Sequence, residues 1–134
     1  MNIDPEQLIT AARAARENAF APFSGFRVGA ALLSKNGDVF TGCNVESATY
    51  GLTMCAERVA IFKAVSEGVS EFDSIAVVTG ADRLTPPCGA CRQVIWEMCG
   101  NVEVALANLE GLRETYEMKN LLPEAFDKSY LGGS

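Results

Sequence analysis

Two cysteine-bearing stretches limit what this chain can fold into. Met54-Cys55-Ala56-Glu57-Arg58 and Pro86-Pro87-Cys88-Gly89-Ala90-Cys91-Arg92 each stand at the start of an apolar run with helical spacing. The first puts a thiol and a carboxylate two residues apart. The second puts two thiols one helical turn apart, so that both sulfurs can face the same point. Three thiolates with one coordination position left open suit zinc, whose catalytic sites typically combine three protein ligands with a water. A fold that meets this demand brings two helix N-termini together, where the dipole and free N–H groups favour thiolate over thiol.

Glu57 is the informative neighbour. A structural site closed by a fourth ligand gives it no task. Beside an open position, a carboxylate can take a proton from metal-held water and deliver it elsewhere. The chain contains no histidine, so three thiolates leave such a centre anionic and a poor Lewis acid unless charge is withdrawn. The helix ends can do this, and so can a hydrogen-bonding cation. Arg58 follows Glu57 and Arg92 follows Cys91, and of the two Arg58 is the favoured donor to sulfur. A Cys-x-x-Cys pair also serves redox dithiols and closed structural zinc sites. Neither use requires the upstream Cys-x-Glu. Cys43 and Cys99, the available fourth ligands, read as small buried hydrophobes on a strand and at a helix end.

At 134 residues the chain fits one domain, 1–134, with enough length for an ordinary core. The net charge of −6 and the scattering of the eleven basic residues count against nucleic acid as a partner, because phosphate binding rests on clustered Lys and Arg. Met1-Asn2-Ile3-Asp4-Pro5-Glu6 has neither a basic n-region nor an apolar core, so no signal peptide is expected. No apolar run approaches the ~18–20 residues of a membrane span. An odd cysteine count without a secretion signal disfavours a disulfide framework. The expected location is cytoplasmic.

In chain order, Asp4 to Ala19 reads as a helix capped by Asp4, with Pro5 at its first position and Leu8, Ala11, Ala12, Ala15 and Ala19 on one small apolar face. Such a face implies close packing on a flat surface such as a sheet. Phe26–Leu33 and Val39–Val45 read as antiparallel strands joined by an Asn-Gly turn. A helix then runs from a cap at Thr53 or Met54 to Gly68, followed by a strand at Ser74–Thr79. A second helix spans Gly89 or Ala90 to Cys99, with strands at Val102–Ala107 and Arg113–Met118. Lys119–Phe126 reads as a short helix or turn, and Leu131–Ser134 as a loose tail. The order α-β-β-α-β-α-β-β-α implies an α/β fold with helices on both faces of a mixed sheet.

Asn44 and Glu46, at the end of the second strand, point to the same face. They are either an exposed strand end or a pair that hydrogen-bonds hydroxyl groups of a polar ligand.

Cys55-Ala56-Glu57 with Pro87-Cys88-Gly89-Ala90-Cys91 resembles the zinc-dependent nucleoside deaminase signature in its all-cysteine form. Ala21-Pro22-Phe23-Ser24, Val28-Gly29-Ala30-Ala31-Leu32, Gly42-Cys43-Asn44-Val45-Glu46 and Leu121-Leu122-Pro123-Glu124-Ala125-Phe126 extend the likeness to the small homotetrameric cytidine deaminases. The resemblance implies a three-layer α-β-α fold around a five-stranded mixed sheet, one zinc per subunit on Cys55, Cys88 and Cys91, and Glu57 as proton shuttle. It implies that Asn44 and Glu46 hold the ribose, that Phe26 packs on the nucleoside, and that the Ala56 backbone meets the pyrimidine. Phe126 would stack on the base in a neighbouring subunit's site, with Tyr50 near the shared part of the pocket. The implied activity is deamination of cytidine and 2′-deoxycytidine in pyrimidine salvage. The alternatives are a deaminase of a cytosine-nucleoside antibiotic and a zinc-stabilised oligomer that binds nucleosides without turning them over.

Overall fold

In the computed structural model, which describes residues 3–132, Asp4 opens α1 (Pro5–Arg16) with a capping box. Its side chain accepts from the Gln7 amide and its own amide donates to the Gln7 side chain, each at 2.9 Å. The helix stops short of the expected Ala19. A turn follows Arg16, and Phe20 leaves to pair with Val45 in an isolated bridge. The remaining elements are β1 (Val28–Ser34), β2 (Val39–Cys43), a 3-10 turn at Tyr50–Leu52, α2 (Ala56–Ser66), β3 (Phe72–Thr79), α3 (Gly89–Cys99), β4 (Glu103–Asn108), β5 (Arg113–Glu117) and α4 (Met118–Leu121). Another 3-10 turn, Lys128–Leu131, ends on the first residue of the expected tail. The last two positions of that tail, and the first two of the chain, lie outside the described residues.

The expected five-stranded mixed sheet is present, with strand order β2-β1-β3-β4-β5. Only β3 and β4 run parallel, and α3 makes the crossover between them. Strand alternation sends Ala31, Leu33, Ala76, Val78, Ala105 and Ala107 to one face, under Leu8, Ile9 and Ala12 of α1. Ala30, Leu32, Ile75, Val77, Val104 and Leu106 face the other way, toward α2 and α3. Burial on both faces explains why β1, β3 and β4 read as nearly unbroken apolar runs. Helix α1 buries Ile9 as well as Leu8, a residue outside the alanine face expected from spacing.

Two glycines set how closely the helices approach. A Cβ on Gly29 would lie 2.0 Å from the Ala12 carbonyl oxygen of α1. On the opposite face, a Cβ on Gly42 would lie 2.6 Å from both the Ala56 oxygen and the Ala60 nitrogen of α2. The small face expected of α1 is thus met by an absent side chain on the strand. The first turn of α2 rests on β2 in the same way.

Gly42→Ala should therefore push α2 off the sheet at its N-terminal end. Overpacking a core of this kind costs typically 1–3 kcal/mol. Denaturant unfolding should show a loss of about that size or more, whereas Gly51→Ala, with no atom within 4 Å of the added methyl, should stay close to the parent. Equal stability of the two variants would contradict the close-approach argument.

Candidate active site

Three strand ends share one edge of the sheet. Val28 at the start of β1 lies opposite Thr79 at the end of β3, and Cys43 at the end of β2 lies opposite Gly29. A cavity of about 210 Å³ opens there, with Val28, Asn44 and Thr79 in its wall and Cys55, Ala56, Glu57 and Cys88 reaching it from the helix starts. Cys55 is itself the N-cap of α2, not Thr53 or Met54, and Cys88 is the N-cap of α3. The cap falls on Cys55 because Met54 is held extended by a pair of 2.9 Å backbone hydrogen bonds with Val45. The helix can begin only after that bridge.

The Sγ atoms of Cys55, Cys88 and Cys91 all lie within 4.8 Å of one another. Arg58 Nη2 donates to Cys55 Sγ at 3.3 Å, and its buried Nε has no partner. The Cys55 and Cys91 thiols titrate together. The Cys91 thiol, hydrogen-bonded to Cys55, holds the Cys55 thiol down at about 5, with Arg58 acting in the same direction. The same bond and burial push Cys91 up. A metal bound by all three sulfurs displaces the shared proton. The donor set fits zinc: three soft ligands at two helix starts, with a guanidinium on one sulfur to offset their charge.

Glu57 lies two residues after Cys55 and is 5% exposed. Burial pushes its carboxyl up to about 7, its own backbone N–H opposes the rise, the Cys55 thiolate adds to it, and Arg58 opposes it. A carboxyl poised near neutrality can both take and return a proton.

The rim is built from the chain on either side of β1. Asn44 is buried, accepting from the Val28 amide at 2.8 Å and donating to the Phe26 carbonyl at 2.7 Å. Glu46 accepts from the Phe23 and Ser24 amides at 3.0 and 3.1 Å, and from the Ser24 hydroxyl. The Ser24 hydroxyl holds its carboxyl below the usual range, burial opposes this, and the Ser24 and Phe23 amides add to the lowering. Both residues line the cavity, as does Phe26. Both sit past β2, which ends at Cys43 and not at the expected Val45, because the ladder with β1 ends there. Bridges at Val45 keep the backbone extended, so the two side chains still flank the same space.

Three of the sequence-derived positions lie elsewhere. Tyr50 is 77% exposed, edge-on to Phe23 in an adjoining groove. Phe126 is 55% exposed and stacks on Tyr130, away from the cavity of its own chain. Arg92 donates to the backbone carbonyls of Pro87 and Leu121 and not to sulfur, because neighbours in a helix do not share a face. Cys43 and Cys99 are half-buried and not fully buried as expected, and neither joins the sulfur group. Burial does push the Cys99 thiol up to about 12. The sequence reading missed Ser24, Thr79 and Thr85 as cavity residues. Thr79, at the end of the central strand, had the one usable signal, since sites in α/β sheets gather beyond strand C-termini.

The family described as "Cytidine and deoxycytidylate deaminase zinc-binding region" matches residues 2–107. The chain belongs to this deaminase family. The cytidine deaminase of Sporosarcina psychrophila is 50% identical over 130 residues, covering 96% of each chain. That of Halalkalibacterium halodurans is 52% identical over 125 residues, covering 92% of this chain and 95% of its own. A 1.6 Å crystal structure of cytidine deaminase from Burkholderia pseudomallei superposes with a TM-score of 0.90 at 49% identity, covering 92% of this chain and 100% of that one. The three-layer architecture is therefore the deaminase fold, and its zinc-binding region has a ready ligand group in Cys55, Cys88 and Cys91.

The raised carboxyl of Glu57 has a consequence for stability. The folded protein holds its proton up to about 7, whereas an unburied carboxyl loses it near 4.5. Folded protein thus binds the extra proton between those values, and stability falls as pH rises through that window. In protein stripped of metal by a chelator, Glu57→Gln should be stabilising by up to roughly 3 kcal/mol at about pH 8 and near neutral at about pH 4. Urea unfolding at both pH values measures this. A gain that does not vary with pH would rule out burial as the cause.

Proposed function

We propose that the protein hydrolyses cytidine and 2′-deoxycytidine to uridine and 2′-deoxyuridine, releasing ammonia, as a zinc-dependent enzyme of pyrimidine salvage. The observation that carries this reading is a buried carboxylate, Glu57, beside a three-sulfur group at the foot of a cavity. The naming of relatives at about half identity as cytidine deaminases supports the substrate.

Cys55, Cys88 and Cys91 hold the zinc, whose Lewis acidity brings the pKa of water toward neutrality. Glu57 takes a proton from the attacking water and delivers it to N3, which makes C4 electrophilic. Oxygen adds to C4. The carboxylate then takes the second proton from the hydroxyl formed there and passes it to the amine as the C4–N bond breaks. The product keeps the N3 proton, ammonia leaves, and Glu57 is again ionised. A carboxyl with its pKa near 7 suits a group that serves as base and acid in one turnover. Arg58 offsets the charge of the thiolates through Cys55.

Asn44 and Glu46 hold the ribose hydroxyl groups, Phe26 packs on the nucleoside, and the Ala56 backbone meets the pyrimidine. The side-chain oxygens of Glu46 are already oriented by the Ser24 hydroxyl and two amides, so little ordering remains when a sugar binds. The enzyme is a homotetramer of single-domain subunits in the cytoplasm, with sites completed across subunits. The exposure of Phe126 and Tyr50 supports their placement at a neighbour's cavity. Among the described residues no helix is long and apolar enough to cross a membrane.

The deciding experiment follows the ultraviolet loss of cytidine with and without a zinc chelator. Glu57→Gln should keep its zinc and lose activity by well over the ~10²–10⁴-fold typical of a general acid–base, because it also loses the means of making the nucleophile. Full activity in that variant would exclude the mechanism. Phe126→Ala should raise KM about ten-fold or more, in line with ~1–3 kcal/mol for a base stacked on an aromatic ring. Unchanged kinetics would remove Phe126 from the site.

A further inference from the structure

Helix α3 holds two things at once. Its first turn presents Cys88 and Cys91 to the sulfur group. Trp96, one turn from both Arg92 and Gln93, joins them in holding the chain that follows β5. Arg92 Nε donates to the Pro87 carbonyl and Nη1 to the Leu121 carbonyl, both at 2.8 Å. Gln93 Nε2 donates to the Phe126 carbonyl at 2.7 Å, and Trp96 Nε1 to Asp127 Oδ2 at 2.9 Å.

The two acceptors of Arg92 have different owners. Pro87 is buried, and its carbonyl belongs to the peptide that leads directly into Cys88. Leu121 ends α4, where the last carbonyls have no partner within the helix. A guanidinium presents its donors in a fixed planar fork, so one that bonds two carbonyls also fixes the distance between them. A lysine ammonium cannot reproduce that span.

We propose that Arg92 is a positioning residue that joins the zinc-ligating loop at Cys88 to the C-terminal segment carrying Phe126, so that each is held in place by the other through this one side chain. The coupling rests on the zinc assignment made above. It gives the metal centre a direct mechanical link to the segment assigned to the neighbouring site.

Trp96 makes the link measurable. It is the chain's single tryptophan, and its indole N–H reports contact with Asp127. In zinc-loaded protein, Arg92→Ala and Arg92→Lys should release zinc to a chromogenic chelator several-fold faster than the parent. Both should also show stronger quenching of Trp96 emission by acrylamide. Gln93→Ala frees the Phe126 carbonyl without touching the loop before Cys88. It should therefore raise quenching while its zinc release stays within about two-fold of the parent. Arg92→Lys keeps the charge and the stem, so it carries the test if the alanine variant is insoluble. The proposal is overturned if Arg92 variants change one readout alone, or neither, or if Gln93→Ala releases zinc as fast as Arg92→Lys. A parent protein that binds no zinc would overturn the metal assignment and the coupling together. A zinc-replete parent with unaffected variants overturns the coupling alone.

Discussion

Helices α2 and α3 start at the same edge of the sheet, each capped by a cysteine, and the rest of the site depends on how closely those starts approach. Gly42 decides the approach on one side. With no side chain on β2, the first turn of α2 lies against the strand backbone, and Cys55 comes within 4.8 Å of Cys88 and Cys91. The bridge between Val45 and Met54 delays the start of α2 until Cys55, so that the thiol occupies the cap and Glu57 falls in the buried first turn. On the other side, the parallel pairing of β3 and β4 forces α3 to cross over, which returns its N-terminus to the edge where β3 ends.

Charge is the second constraint. Three thiols, one buried carboxyl and no histidine make an edge that would repel its own anions. The protein answers with position more than with cations. Both thiol-bearing caps sit where the helix dipole favours negative charge, and a single guanidinium reaches Cys55. The carboxyl pays for its place, with burial lifting it to about 7. Function at this site therefore conflicts with stability. The group suited to moving protons near neutrality is the one whose ionisation weakens the fold.

Much of this was legible in the sequence because the signals were local. The Asn-Gly turn, the capping Asp4 with Pro5, and the apolar runs of β1, β3 and β4 each follow from near neighbours. So does the Cys-x-Glu and Cys-x-x-Cys spacing at two helix starts. What failed was non-local. The end of α1 at Arg16 is set by Phe20 pairing with Val45, and the cap at Cys55 by Met54 pairing with that same residue. Thr79 and Thr85 reach the cavity because β3 ends there, which no window around either residue reveals. Arg92 stood beside the favoured Arg58 as a candidate sulfur donor only because adjacency to Cys91 in sequence suggests adjacency in space. In a helix, the next residue points to a different side.

The same local geometry bears on how the rim can recognise a polar ligand. Asn44 spends one donor and one acceptor on the chain around β1, and Glu46 takes three hydrogen bonds from Phe23 and Ser24. Neither is an idle side chain waiting for a partner. Each ties the aromatic loop before β1 to the chain after β2. A carboxamide retains a second N–H and a second lone pair, and a carboxylate has about four acceptor sites, so both keep capacity for a bound hydroxyl group. Under the proposed sugar contacts, replacing either residue would remove a ligand contact and also release the loop that carries Phe26. Loss of binding and loss of order at the rim are therefore one event in this architecture, and alanine substitutions there measure the two together. Ser24 offers a partial separation, because its hydroxyl donates to Glu46 and accepts from the Phe26 amide at 3.0 Å but takes no part in holding Asn44. Removing it loosens the carboxylate and frees the Phe26 amide while leaving the Asn44 tie in place.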